Sequence, residues 1–273
     1  MGSTTSTAHG QSVRSYNPRH ETFPYGPKDF KRDDESPDTD FYASPRFVTH
    51  IDDNAIGLLK DYYDRALPRS GRILDFCSSW ISHFPKNLEA LAVESKKSAA
   101  NNLDEHAESR LGDQESTTLE VIGLGINARE LSANPILKTS ILQDLNTTPD
   151  IPSSVAPLDA STCVVSIDYL TKPVEVLRSL LKHTKSGGKV HLVVSNRCFP
   201  TKAVGRWLRV GEEQKLEMVG DYLWFAGWRN IEICTLNDGK SQTDIGASSG
   251  IMDWFGAGRT DPLWVVRGTK REE

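Results

Sequence analysis

The 273-residue chain lacks several features whose absence narrows its class. No apolar run approaches the length of a membrane-spanning helix, and no basic-then-apolar segment opens the chain, so a cytoplasmic protein is expected. Cysteine is scarce. Cys77, Cys163, Cys198 and Cys234 stand far apart without CxxC spacing, which predicts reduced thiols and no metal site. Positive charge is not in excess. With 32 Lys and Arg against 37 Asp and Glu the net charge is −5, and a nucleic-acid partner is not expected without clustered basic residues. No internal repeat is visible.

What is present is 37% apolar and 25% charged sequence, long enough for one large α/β domain. Residues 1–40 are rich in Ser, Thr, Pro, Asp and Lys and predict a flexible leader, with Phe23, Tyr25 and Phe30 as side chains able to dock. A domain over 41–273 follows. Asp52 and Asp53 suit a helix start, Ile56, Leu59 and Tyr63 follow helical spacing, and Pro68 ends the helix. Apolar runs around 73–74 and over 119–125, 140–146, 161–167 and 189–196 predict five strands, with two more at 230–236 and 263–267. Helical segments are predicted from 128, over 173–183, and near 202–208 and 213–226. Residues of about 86–117 read as a polar insertion, helical around 88–100 and carrying no chemistry. This alternation predicts a Rossmann-like α/β fold: a doubly wound, mostly parallel seven-stranded sheet with helices on both faces.

Such sheets bind ligands outside the carboxyl ends of their strands. The ends here are Asp75-Phe76-Cys77-Ser78-Ser79, Gly123-Leu124-Gly125-Ile126-Asn127, Gln143-Asp144-Leu145-Asn146 and Ser166-Ile167-Asp168-Tyr169-Leu170. The first is a strand, an acid and a small-residue turn, with a helix expected directly behind. As a series they resemble the class I S-adenosylmethionine-dependent methyltransferases. Leu158-Asp159-Ala160 is similar to a segment of the type 11 subgroup, and the run Leu181 to Lys189 resembles the turn before that superfamily's fifth strand. The stretches Asp75 to Pro85, Val121 to Asn127, Gln143 to Asn146, Cys163 to Pro173 and Ser195 to Ala203 are similar to a less characterised branch with a D-x-C-S-S-W-x-S-H motif.

The resemblance implies a methyltransferase using S-adenosyl-L-methionine and a small-molecule acceptor. It places the cofactor against Asp75, Cys77, Ser78, Ser79, Gly123, Asn127, Asp144, Leu145, Ser166 and Asp168. Acceptor contacts fall to Arg46, Tyr169, Asn196 and Arg197, and catalytic roles to His50, as general base or orienting group, and Tyr169. Two departures stand out. Cys77, Ser78 and Ser79 occupy a turn that is usually glycine-rich, and the second strand lacks the usual ribose-binding acid. They leave open a second reading, a non-methylating protein that binds a nucleoside ligand in a regulatory or scaffold role. A nicotinamide-dependent reductase is disfavoured, because Gly123-Leu124-Gly125 is not followed by the required third glycine.

Overall fold

The computed structural model describes residues 5–6, 12–101, 118–239 and 260–272. The part of the insertion over 102–117 and the Gly/Ser/Asp-rich stretch over 240–259 therefore lie outside the described residues.

The centre is a sheet whose strands follow the predicted order. β3 (Gly71–Phe76), β4 (Leu119–Gly125), β5 (Thr139–Leu142), β6 (Leu158–Val164) and β7 (Thr184–Ser195) are parallel neighbours in the spatial order β7-β6-β3-β4-β5. β9 (Leu263–Thr269) lies antiparallel between β7 and β8 (Arg229–Asn237). These seven strands form the expected doubly wound arrangement. The chain steps outward from β3 to β5 and then returns to β6 on the other side of β3. The switch point is thus between β3 and β6, where such sheets open a crevice.

Helices cover both faces because each presents one apolar stripe. α3 (Asp53–Ala66), α4 (Lys86–Asn101) and α5 (Ala128–Ala133) bury Leu59, Tyr63, Leu88 and Leu131 on one side. α6 (Pro173–His183), α7 (Gly205–Arg209) and α8 (Glu212–Ala226) bury Leu177, Leu180, Trp207, Tyr222 and Leu223 on the other. The Asp52 carboxylate caps α3 by accepting the Ala55 N–H at 2.7 Å.

Three expectations differ from the structure. No helix starts directly behind β3: residues 77–85 form a long loop before α4. The fifth strand starts well before residue 189, directly after α6. The strand β7 begins at Thr184, and 185–188 bulge out of the β6 register, where a Cβ on Gly188 would lie 2.5 Å from Thr184 Cγ2.

The third difference is the leader. Residues 12–40 are packed on the body as a strap. β1 (Thr5–Ser6) and β2 (Ser12–Ser15) extend the sheet past β8, making nine strands among the described residues. The hydroxyls of Tyr16 and Tyr25 both donate to the buried Asp221 carboxylate on α8. Phe23, in the stretch before α1 (Pro27–Phe30), packs against Phe30, Tyr222 and Phe225. Just before α2 (Asp38–Phe41), Arg32 donates from Nη1 to both Asp38 oxygens at 2.9 Å, and the fully buried Lys202 ammonium donates to Ser36 O at 2.6 Å. The docking uses Phe23, Tyr25 and Phe30, the side chains expected to be able to dock, together with paired charges that the low apolar content of the segment hid.

Candidate functional site

A cavity of about 310 Å³ opens at the carboxyl ends of β3, β4, β5 and β6, at the switch point. That is within the size range of small-molecule sites. Its floor is the turn behind β3. Asp75 is buried and accepts three hydroxyls: Ser78 Oγ and Ser82 Oγ at 2.7 Å, and Thr162 Oγ1 at 2.9 Å. Burial pushes its carboxyl above the usual range, against the pull of those hydrogen bonds. Asp75 therefore organises the loop at the cavity floor. Cys77 lines the cavity with φ +53°, the left-handed region that a glycine would occupy without strain. Ser79 lines it too, and its backbone carbonyl is held by Asn134 Nδ2 at 3.0 Å.

The turn leans directly on β4. Ser78 N–H donates to Leu124 O at 2.8 Å, and a Cβ on Gly125 would lie 2.2 Å from Ser78 O. No acid can stand at that strand end without displacing the turn. This is the physical reason that β4 ends in glycine rather than an acid. The carboxylate that lines this part of the cavity is Glu130, one helical turn later, whose Oε1 accepts Arg46 N–H at 2.6 Å.

Other predicted residues divide plainly. Asp144, Leu145, Ser166, Tyr169, Arg46, His50 and Arg197 line the cavity with Asp75, Cys77, Ser78 and Ser79. Four do not. Gly123 is a packing position, where a Cβ would lie 2.3 Å from Leu137 Cδ1. Asn127 caps α5, accepting Arg129 N–H and Glu130 N–H, while its amide donates to Tyr42 O at 2.8 Å. Asp168 is buried away from the cavity, and Asn196 is exposed beyond its rim.

Around His50 and Phe199 the electrostatics are distinctive. His50, with φ +62°, packs edge-on to Phe199 at 5.6 Å; desolvation holds its imidazole below the ordinary value, against the pull of Glu130. His83 also lines the cavity, and burial lowers it to about 4. Both rings are neutral near pH 7. The Tyr169 hydroxyl accepts Phe199 N–H at 2.8 Å, and burial raises its pKa. Arg197 donates from Nε to Asp261 Oδ1 at 2.7 Å.

Sequence reading missed several lining residues, chiefly Asp38, Tyr42, Glu130, Asn146 and Phe199. Asn146 joins three segments: its amide donates to Asp38 Oδ2 at 2.8 Å and Tyr169 O at 2.9 Å, and its Oδ1 accepts Thr171 N–H at 2.7 Å. A signal for Glu130 existed in Asn127-Ala128-Arg129-Glu130, a cap followed three residues later by an acid.

No family model and no curated protein matches the chain. Among solved structures it is similar to a Thermotoga maritima protein described as an S-adenosylmethionine-dependent methyltransferase and possible histamine N-methyltransferase. The TM-score is 0.45 at 16% identity, covering 80% of this chain and 91% of that one. It is also similar to phosphoethanolamine N-methyltransferase 2 of Haemonchus contortus in complex with S-adenosyl-L-methionine, at TM-score 0.44 and 13% identity over 79% of this chain. The match spans about half of that protein, 52% of its length. A third is a 16S rRNA (adenine(1408)-N(1))-methyltransferase mutant of Catenulisporales acidiphilia, at TM-score 0.42 and 13% identity, covering 78% of this chain and 94% of that one.

Proposed function

We propose that the protein is an S-adenosylmethionine-dependent methyltransferase acting on a small-molecule acceptor. The observation that carries this reading is the cavity at the switch point. It collects the Asp75 turn, Asp144 and Leu145, Ser166 and Tyr169 from the strand ends into one concave space. The residues fit the cofactor's chemistry. Glu130 is a carboxylate suited to a ribose diol, Asp144 beside Leu145 and Ile126 suits an adenine, and the turn at Cys77 and Ser79 suits the aminoacyl end. When bound, the cofactor supplies an electrophilic methyl group for in-line attack.

The chain's own part is positioning and exclusion of water. Asp38 of the strap, with Tyr42 and Arg46 just beyond it, walls the cavity on one side and Cys198 and Phe199 on another, so the acceptor sits in a concave site. A cavity of this size supports a small acceptor over a macromolecular one. A neutral His50 imidazole at the rim can take a proton from an acceptor heteroatom as it becomes methylated.

Isothermal calorimetry with S-adenosylhomocysteine tests the reading. Binding at micromolar concentration is expected, and no binding by demonstrably folded protein rules it out. The second reading, a nucleoside binder without methyl transfer, draws on one observation, the Cβ and left-handed backbone of Cys77 where the turn approaches the ligand. Tight binding with no transfer of radiolabelled methyl across a broad panel of alcohols, phenols, amines, thiols and acids would favour it.

A further inference from the structure

We propose that Cys77 and Cys163 are a redox pair at the cavity floor: a peroxide oxidises Cys77, Cys163 resolves it to a disulfide, and the linked turn no longer accepts the cofactor. All four cysteines are free thiols, and these two converge at the switch point between β3 and β6. Asp75 stands opposite Thr162 in the parallel register, and Thr162 Oγ1 donates to its carboxylate at 2.9 Å. Cys163 is the next residue along β6, and Cys77 the next but one after Asp75.

The side chains meet because the pleat is broken. Along β3, Ile73 packs on the α3 side of the sheet, and Leu74 and Phe76 on the α6 side. Along β6, Ala160 packs on the α3 side and Cys163 on the α6 side. Continued alternation would put Cys77 on the α3 side, away from Cys163. Its φ of +53° reverses that, and Cys77 packs instead against the cluster that holds Cys163. A left-handed backbone is unfavourable for a residue with a Cβ, and such strain collects at functional positions.

The two thiols differ in access. Cys77 lines the cavity and is partly exposed, so an oxidant reaches it. Cys163 is fully buried; burial, and then its hydrogen bond with Cys77, hold its thiol well above the ordinary value. A diffusing oxidant therefore meets Cys77, and Cys163 meets only what Cys77 becomes. With hydrogen peroxide, the Cys77 sulfur attacks one oxygen, the O–O bond breaks, and a sulfenic acid and one water form. The Cys163 sulfur then attacks the Cys77 sulfur, the S–O bond breaks, and the hydroxyl leaves as a second water with the Cys163 proton. The two thiols together lose two electrons, and the peroxide gains them. The new bond ties the turn to β6 beside the Asp75 carboxylate, which Ser78 and Ser82 already share. Loss of cofactor binding rests on the methyltransferase reading above; the disulfide itself does not.

The test treats wild-type protein, Cys77→Ser and Cys163→Ala with hydrogen peroxide and compares each with itself before treatment, its fold checked by circular dichroism. Peptide mass spectrometry without reduction should find Cys77 and Cys163 peptides linked in the wild type, lighter by two hydrogens than the separate pair, and released by dithiothreitol. In Cys163→Ala, dimedone, which traps sulfenic acids, should label Cys77 instead. Calorimetry should show wild-type affinity for S-adenosylhomocysteine falling about tenfold or more on oxidation and returning with dithiothreitol, a change absent from Cys77→Ser. The proposal is overturned if peroxide leaves Cys77 unlinked in the wild type or unlabelled in folded Cys163→Ala. It is equally overturned if Cys77 pairs with Cys198, or if the linked protein binds as the reduced one does. Failure of the reduced wild type to bind the nucleoside counts against the methyltransferase reading alone, since the linked peptides and the dimedone label still test the redox pair.

Discussion

Asp168 shows how far a residue's role depends on where its side chain goes. Placed next to Tyr169 in sequence, it points away from the cavity. Its carboxyl is buried, Oδ2 has no partner among the described residues, and burial pushes the pKa up to about 7, opposed by its own backbone N–H and Lys215. The sign follows directly. The folded state binds the proton more tightly than the unfolded one, whose carboxyl titrates near 4, so this contribution to stability is full at low pH and is lost as pH rises towards 7. Asp168→Asn should remove that slope. Urea denaturation should find the variant more stable than wild type at pH 8.5, by on the order of 1–3 kcal/mol, with the difference shrinking by pH 5. Cys77 makes the opposite point, since its sequence position is informative and its backbone is strained. Cys77→Gly trades about 1 kcal/mol of glycine entropy against relief of a left-handed side chain of similar size. Stability should therefore change by less than about 1 kcal/mol in the same assay, while S-adenosylhomocysteine affinity stays the same or rises.

Elements were the most legible level, and their junctions the least. α6 and β4 fall at the predicted residues because their patterns are strong: a proline-led amphipathic helix and a continuous apolar strand. The site's junctions depend on contacts between segments far apart in the chain. The turn behind β3 is fixed by Thr162 on β6, Leu124 on β4 and Asn134 after α5, none of which a local pattern reveals. Gly125 carries the tightest of these contacts. Gly125→Ala should cost about 2 kcal/mol or more, read as a lower urea midpoint with an unchanged m-value, because a Cβ would meet the Ser78 carbonyl at 2.2 Å. The strap rests on a different junction. Removing the buried Asp221 carboxylate by Asp221→Leu leaves Tyr16 and Tyr25 without their acceptor. Limited proteolysis should then cut within residues 12–40 faster than in wild type, where this segment is protected.

At the scale of the whole molecule, ligand binding should be visible as stability. A ligand held at the switch point touches segments that extend from the strap at Asp38 to Phe199, so it couples to global unfolding. At one hundred times its dissociation constant, S-adenosylhomocysteine should stabilise the protein by about 2.7 kcal/mol. For a chain of this size that corresponds to a rise of roughly 5–10 °C in Tm by differential scanning fluorimetry.

The sequence by itself determined the α/β class, the strand and helix order, and which strand ends meet, because these follow from hydrophobic period and from the rule that parallel sheets bind at their carboxyl edge. Tertiary structure alone decided the rest. It packed a polar leader onto the body with Asp38 lining the cavity, drew Asp75 into a hydroxyl network, and spent Asn127 on a helix cap. It also excluded an acid at Gly125 and brought Glu130 to the cavity instead. The physical reason is common to all of them. A side chain's period along the chain fixes the face it occupies, whereas its chemistry depends on partners that packing brings from distant segments.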